Sequence, residues 1–283
     1  IHTHTAKADL YGAIWSWKMK MAKLVTTIHQ DTFVTEKYRI GAFWGPIYVY
    51  AWMLLQRFCF DGVIFISKQI RDTYEKYFKG VKTVIYNGVY CDYSIPVNKH
   101  FISEINDLKA KGLKMLGTYA LIMKRKGIKQ VLQFLKQNPG YGFVIIGDGA
   151  EKQNLQIMSK EFGIADRVLF LPHVPNPYCY LDDIDIYTMT SYSEAFGLAM
   201  VEAALSEKPI VCSNLPSFHE IFTEDEACFF DLDNISSLSE AIRKSYANKE
   251  QLGLKAKEKA ERYFTAKKNA ENHLNYYKSL LSK

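Results

Sequence analysis

Residues 184–220, IDIYTMTSYSEAFGLAMVEAALSEKPIVCSNLPSFHE, constrain the fold more than any other stretch of the chain. Ile184 and Ile186 alternate with Asp185 and Tyr187, the period of a strand, ahead of a Thr/Ser-rich end. A polar loop, Ser191 to Glu194, then turns through Phe196-Gly197 into a helix that the spacing predicts from Leu198. On that helix Leu198, Val201, Glu202 and Leu205 share one face, three apolar residues and a carboxylate. A bare carboxylate on a core face is costly unless something bonds to it. A helix N-terminus that follows a strand, with glycine for close approach, is also a natural seat for phosphate. The segment thus offers a phosphate cradle at Phe196-Gly197-Leu198, with Glu194 before it and Glu202 one turn inside. A plainer reading fits the spacing too: Glu194 as a first-turn acid favoured by the helix dipole, Glu202 at the edge of the stripe.

With 283 residues, 48% of them hydrophobic, the chain can bury one large or two small domains. The net charge of +6 is spread along the sequence apart from runs at Lys18-Lys23 and Lys124-Lys129. Such a balance favours anionic substrates or an anionic membrane surface over nucleic acid. Five cysteines, at 59, 91, 179, 212 and 228, share no metal or disulfide spacing, which points to a reducing, cytoplasmic setting. The most apolar run, Pro46 to Leu55, is far short of the roughly 20 residues that cross a bilayer. Ile1 already reads as the inside of a strand, so the chain is expected to begin within a domain.

The run SEAFGLAMVEAALSEKPIVCSN, with glutamates 194 and 202 eight positions apart, resembles the signature of retaining GT-B glycosyltransferases of family 4, the group 1 glycosyltransferases. The match continues through Lys208-Pro209 to Glu220 and departs at Glu207, where the family usually carries glycine. The resemblance implies an α/β chain of the GT-B type, two Rossmann-like domains with parallel sheets. Residues 1–98 would be an acceptor-side domain lacking its first strands and a glycine-rich loop. Residues 99–265 would bind the nucleotide-sugar, and 266–283 would be a helix returning to the first domain. Glu202 would hold the ribose hydroxyls, Glu194 would lie beside the transferred sugar, and the amides after Glu194 would face the diphosphate.

Taken in order, the chain alternates strands and helices throughout. A strand end at Ile1–Thr5 precedes a helix predicted over Lys7–Met21, and KLVTTIH is a second strand. On the family pattern His4 and His29 stand at strand C-termini, with His4 lining the sugar or acceptor pocket; a histidine bonded to a loop carbonyl is the plainer alternative. Gln30–Gly45 reads as a loop and Ile47–Phe60 as a helix. The aromatics Phe43, Trp44, Tyr48, Tyr50, Trp52, Phe58 and Phe60 are expected mainly to pack in a helix core, with a membrane-facing surface as the alternative. DGVIFISKQIRDTY and VIYNGV resemble the close of the family's first domain, and a linker follows Gly88.

The second series of elements begins near Lys114. Lys126-Gly127 matches a family lysine-glycine pair that neutralises diphosphate, but the partner arginine expected five positions earlier is Leu121. Lys124 or Arg125 would have to substitute. Gly147-Asp148-Gly149 resembles a glycine-lined floor under the nucleotide, with Gly147 and Gly149 close to the ligand, and His173-Val174 lies where the family contacts the base. Ser217 to Glu220 has the form of a capping box, so Glu220 carries a structural reading beside the functional one. Asp183-Ile184-Asp185 mimics a metal-binding Asp-x-Asp but enters a strand, so no metal is expected.

The expected activity is transfer of a sugar from a nucleoside diphosphate sugar to a hydroxyl acceptor, a glycan or lipid-linked glycan. Configuration would be retained, with no metal or cofactor beyond the donor. Glu194, His4 and Lys126 would act at the reacting centre. Glu202, Arg125, Glu220, His173, Val174, Gly147, Gly149 and residues Phe196 to Leu198 would bind substrate. The expected setting is cytoplasmic, with peripheral contact at the inner membrane face. The alternatives are a non-catalytic or split nucleotide-sugar-binding protein, favoured by the Ile1 start and Leu121, and a nucleotide-sugar epimerase. If the first domain is incomplete, nucleotide affinity should outlast transfer.

Overall fold

The computed structural model describes residues 1–18 and 22–282, which divide into two compact units. Residues 1–88 with 266–283 form the first, and 89–265 the second. Residues 19–21, which hold the expected end of the first helix and much of the Lys18-Lys23 run, lie outside the described residues.

In the first unit, β1 (His2–Thr3), β2 (Val25–Ile28), β3 (Gly62–Phe65) and β4 (Val81–Val84) form one parallel sheet in that order. Helices α1 (Ala6–Lys18), α2 (Thr32–Ile40), α3 (Trp44–Cys59) and α4 (Lys68–Tyr74) connect them. Val25, Ile28, Ile64 and Phe65 are buried, as a sheet covered on both faces requires. Ser67 caps α4 by accepting the Ile70 amide at 3.2 Å.

The segment read as a loop before Gly45 contains α2. Its inward positions include Thr32 and Glu36, both buried, so the helix has little apolar stripe to show in sequence. The expectation for the aromatics also needs correcting. Val49, Met53 and Gln56 take the inward face of α3. Phe43, Trp44, Tyr50 and Phe58 are exposed, and Phe60 is buried. On α1, Leu10, Tyr11, Ile14 and Trp15 are exposed as well.

The second unit comprises α5 (Lys99–Lys109), β5 (Lys114–Tyr119), α6 (Lys129–Gln137), β6 (Tyr141–Ile146), α7 (Lys152–Glu161), β7 (Val168–Leu171), β8 (Ile186–Met189), α8 (Leu198–Leu205), β9 (Ile210–Ser213), α9 (Pro216–His219), β10 (Ala227–Phe230), α10 (Ile235–Ala247) and α11 (Lys249–Tyr263). Its parallel sheet runs β10-β9-β8-β5-β6-β7. The chain builds outward from β5 in one direction, then restarts at β8 in the other. β5 and β8 are therefore the topological switch point, where the loops beyond the strand C-termini open a crevice.

Residues 89–98, expected in the first domain, are bonded into the second unit. The Val89 amide donates to Phe264 O, Asp92 N to the Tyr178 hydroxyl and Asn98 N to the Tyr180 hydroxyl. The last helix, α12 (Ala266–Leu281), belongs to the first unit, where Tyr276 donates to Val81 O at 2.7 Å.

Glu207, the departure from the family's glycine, has φ of 57°, a left-handed backbone that costs a side-chain-bearing residue about 1–2 kcal/mol. Asp183 pairs with Lys109, and Asp185 with Lys249 and the Met115 amide, so both acids of the Asp-x-Asp lookalike have structural partners.

Candidate active site

In the second unit three loops meet beyond the C-termini of β5, β6 and β8, and they meet backbone to backbone. At Gly127, φ 63°, an added Cβ would stand 2.0 Å from Thr190 O. The same two loops are tied by Thr190 Oγ1 to Lys126 O at 3.1 Å, Gln130 Nε2 to Thr190 O at 3.0 Å and Tyr192 N to Arg125 O at 2.8 Å. These bonds fix where the two charged side chains start.

The result is an ion cluster. Lys126 Nζ lies 2.6 Å from Glu194 Oε1, which also accepts the Ser191 hydroxyl at 2.9 Å. Arg125 stands 3.2 Å from Glu194 Oε2 and donates to Ser193 O. Burial works against charge on Glu194, but Lys126, Arg125 and Ser191 outweigh it, and its pKa lies below the ordinary value. Of the two candidates to replace the missing arginine, Arg125 is the one placed with Glu194. Leu121 itself is exposed.

One helical turn further on, Glu202 has the opposite electrostatics. Burial pushes its pKa up, and the nearby Tyr119 hydroxyl acts against that shift without cancelling it. That hydroxyl, itself buried, places its single hydrogen on Ala199 O at 2.9 Å. Gly197 begins α8 with φ of 91° and offers no side-chain cap, so the first-turn amides stay free of side-chain acceptors. Phe196 is buried with its ring edge-on to Phe264, and Leu198 is exposed.

Gly147 and Gly149 have a structural reason that the sequence reading did not supply. Added Cβ atoms there would lie 2.0 Å from Ala120 O and 2.2 Å from Ile122 O, so the two glycines let the β6 loop press on the β5 loop. Asp148 holds that arrangement by pairing with Lys152 at 2.5 Å and accepting the His173 amide at 3.0 Å. His173 is exposed, whereas Val174 is buried and lines a small cavity with Ile95, Pro96 and Tyr180.

The capping box at Ser217 does not form. α9 starts at Pro216 after Leu215, so Ser217 lies inside the helix, buried, and Glu220 follows its last turn half-buried.

In the first unit, His4 lines a cavity of about 290 Å³ at the C-terminal ends of β1 and β2. His4 Nδ1 is 2.9 Å from His29 Nε2, and its ring centroid is 4.2 Å from that of His2. Burial lowers the pKa of His4, and His273 adds to the effect. Sequence reasoning missed His2, His273 and Tyr277 here, and Tyr119, Gln130 and Ser191 in the second unit. No motif marks them; the last helix brings its two residues in from the far end of the chain. Among the described residues no three His, Cys, Asp or Glu side chains are placed to share a metal ion.

Comparison with known proteins bears on both units. Residues 102–269 match the family of glycosyl transferases group 1, and residues 1–93 match glycosyltransferase family 4. The O-antigen biosynthesis glycosyltransferase WclY of Escherichia coli is 32% identical over 266 residues, covering 91% of this chain and 72% of that protein. An N-acetylgalactosamine-N,N'-diacetylbacillosaminyl-diphospho-undecaprenol 4-alpha-N-acetylgalactosaminyltransferase of Campylobacter jejuni is 29% identical over 127 residues, 41% of this chain and 35% of that one. In structure, Anabaena HepE in complex with UDP superposes with a TM-score of 0.84 at 19% identity, over 98% of this chain and 78% of HepE. The fold is that of GT-B glycosyltransferases, and by its match over both units the chain belongs to the group 1 glycosyltransferases.

Proposed function

We propose that this glycosyltransferase moves a sugar from a nucleoside diphosphate sugar to a hydroxyl of a glycan or lipid-linked glycan, with retention of anomeric configuration. The observation that carries the reading is the Lys126–Glu194 contact of 2.6 Å, built by locked loops at the switch point of the sheet. In this reading Lys126, Arg125 and the amides of Phe196 to Leu198 meet the charge of the departing diphosphate, in place of a metal or cofactor. When the diphosphate draws Lys126 away, Ser191 and Arg125 still hold the Glu194 carboxylate beside the transferred sugar. Glu202, with the Tyr119 hydroxyl behind it, orients the ribose. The β6 loop at Gly147 and Gly149 and the backbone at His173-Val174 floor the nucleotide, Glu220 lies on the sugar side, and His4 lines the acceptor or sugar pocket.

WclY suggests an O-antigen product and HepE a uridine nucleotide. The Campylobacter relative acts on a diphospho-undecaprenol carrier, which makes a lipid-linked acceptor the natural choice. The exposed apolar residues of α1 and α3 suit peripheral contact with an anionic, cytoplasmic membrane face, since among the described residues no helix is long and apolar enough to cross a bilayer.

A thermal-shift panel of UDP, GDP and ADP, followed by their sugars, tests the donor site. The matching nucleotide at ~100 times its dissociation constant should add about 2.7 kcal/mol. No shift with any of them refutes the reading. Proton NMR of the product then separates retention from inversion, and transfer from epimerisation of the donor.

A further inference from the structure

We propose that the histidine cavity of the first unit is a proton-linked anion site, which takes a phosphate or carboxylate group carried on a sugar and takes up one proton with it. The site's ability to hold an anion follows from the cavity itself; only the sugar that carries the anion rests on the proposed function.

The lining supplies the first argument. Four imidazoles, His2, His4, His29 and His273, stand with Thr27, Asn87, Asn269 and Tyr277, and no lining residue is a carboxylate. The nearby acid that favours charge on His4 is Asp9, and it is already occupied. Thr3, Thr26, Trp52 and Gln56 all donate to its buried carboxylate. Asn269 and Ala270 also stand in the first turns of α12, the end of a helix that favours negative charge.

Counting protons supplies the second. The bond between His4 Nδ1 and His29 Nε2 holds one hydrogen. With both rings neutral, one outer nitrogen of the pair carries a hydrogen and the other is bare. One added proton goes to the bare nitrogen, keeps the bridge and leaves two outward N–H donors on a cation. A second added proton would set two N–H groups against each other and break the bridge. The pair is therefore built to accept one proton, and that state suits an anion.

The neighbours keep the proton off until a ligand arrives. His2 is engaged at both nitrogens, by the Tyr277 hydroxyl at 2.5 Å and Thr27 at 2.7 Å. His273 donates from Nδ1 to Asn269 O at 2.9 Å, which leaves Nε2 as its basic atom. Burial, together with the other imidazoles and the Ile1 ammonium, pushes His2 down to about 4. Burial and the facing rings, His4 and His273, lower His29 as well. An anion reverses this balance by favouring the protonated pair, so affinity should rise as pH falls.

The test is a sulfate titration of the full chain, ¹⁵N-labelled at histidine, at about pH 6, 7 and 8. Sulfate keeps its double charge throughout that range, so any pH dependence belongs to the protein. The expected result is movement of the His4 and His29 resonances toward their protonated positions, with a dissociation constant that weakens about tenfold per pH unit for one linked proton. Absence of a shift at the lowest pH, or a constant that ignores pH, overturns the proposal. Glucose 6-phosphate and glucuronate then separate phosphate from carboxylate as the natural group; neutral glucose binding as tightly as both would overturn it too. His29→Gln should flatten the pH slope, and a slope unchanged in that variant counts against the pair. Failure of every nucleotide to bind would sink the donor-site reading while leaving these outcomes intact.

Discussion

Two sheltered carboxylates, Asp9 in the first unit and Glu194 in the second, are satisfied in opposite ways. Asp9, on α1 of the first unit, is fully buried and takes bonds from two hydroxyls, an indole and an amide, all neutral donors locked in β1, β2 and α3. Glu194 in the second unit is slightly exposed and held by a lysine, an arginine and a serine hydroxyl. Neutral donors that belong to the framework have nowhere else to go, so Asp9 organises the unit. A lysine can leave for a better anion, so Glu194 sits in a cluster that can change partners. Burial of a carboxylate alone is therefore no sign of a functional site; the proposed role of Glu194 rests on the kind of partner it has.

The sharpest way to break that contrast is Asp9→Ala. It leaves several buried donors without an acceptor, which should cost about 3–5 kcal/mol in urea unfolding. A loss below about 1 kcal/mol would mean the donors find other partners and Asp9 is no framework residue. Lys126→Ala should do the reverse. Arg125 and Ser191 remain on Glu194, so stability should fall by less than about 2 kcal/mol, while kcat/KM for transfer drops at least ~100-fold. Equal losses of stability and activity would erase the distinction.

How much of this was readable beforehand differs between the units. The second unit was largely legible because its charged residues sit within motifs: Lys126-Gly127, and Glu194 eight positions before Glu202. Strands 114–119, 168–171 and 227–230 also fall where their composition put them. The glycines were legible through the family resemblance but not for their packing reason, since the carbonyls of Ala120, Ile122 and Thr190 that crowd them come from elsewhere in the chain. In the first unit His4 and His29 were readable at strand ends, but His273 joins them from α12, and no local pattern reports that. Helix α2 escaped because polar Thr32 and Glu36 occupy inward positions. Most of the aromatics around α3 face outward because Val49 and Met53 had already filled the inward stripe.

The histidines give the contrast a pH signature of moderate size. Burial disfavours charge on His2 and pushes its pKa in the folded chain down to about 4, from the ordinary 6.5. The unfolded chain therefore binds more protons between those values, so stability is complete above about pH 7 and declines as pH falls through 6.5 toward 4. Discounted for the half-exposed ring, the loss from this residue is about 1–2 kcal/mol. His4 and His29, lowered in the same direction, add to it. Glu194, held below its ordinary value, loses its contribution only in more acid solution, as pH falls through the carboxylate range. Urea midpoints that stay flat down to about pH 5 would show that the imidazoles protonate in the folded cavity without penalty.

The smallest expected effect separates the second unit's two glutamates. Glu194 has cations to spare, whereas Glu202 has the Tyr119 hydroxyl acting to lower its pKa, a hydroxyl that donates to Ala199 O at 2.9 Å. Tyr119→Phe keeps the ring packed against Tyr187, whose centroid is 5.1 Å away, and removes only the hydroxyl. One lost hydrogen bond costs about 0.5–1.5 kcal/mol, so stability should fall by about 1 kcal/mol. Glu202 already sits above its ordinary pKa because of burial, and removing the hydroxyl that lowers it should raise it further. A carboxyl that protonates at higher pH is a poorer acceptor for ribose hydroxyls. Nucleotide affinity should therefore match the parent's at about pH 8 and fall increasingly behind it as pH drops toward 5, with Lys126 and Glu194 unaffected. Calorimetric titration with UDP at several pH values reads this directly. If the variant and the parent weaken in parallel across that range, Tyr119 supports the helix backbone at Ala199 alone, and Glu202 needs another account of how its charge is kept.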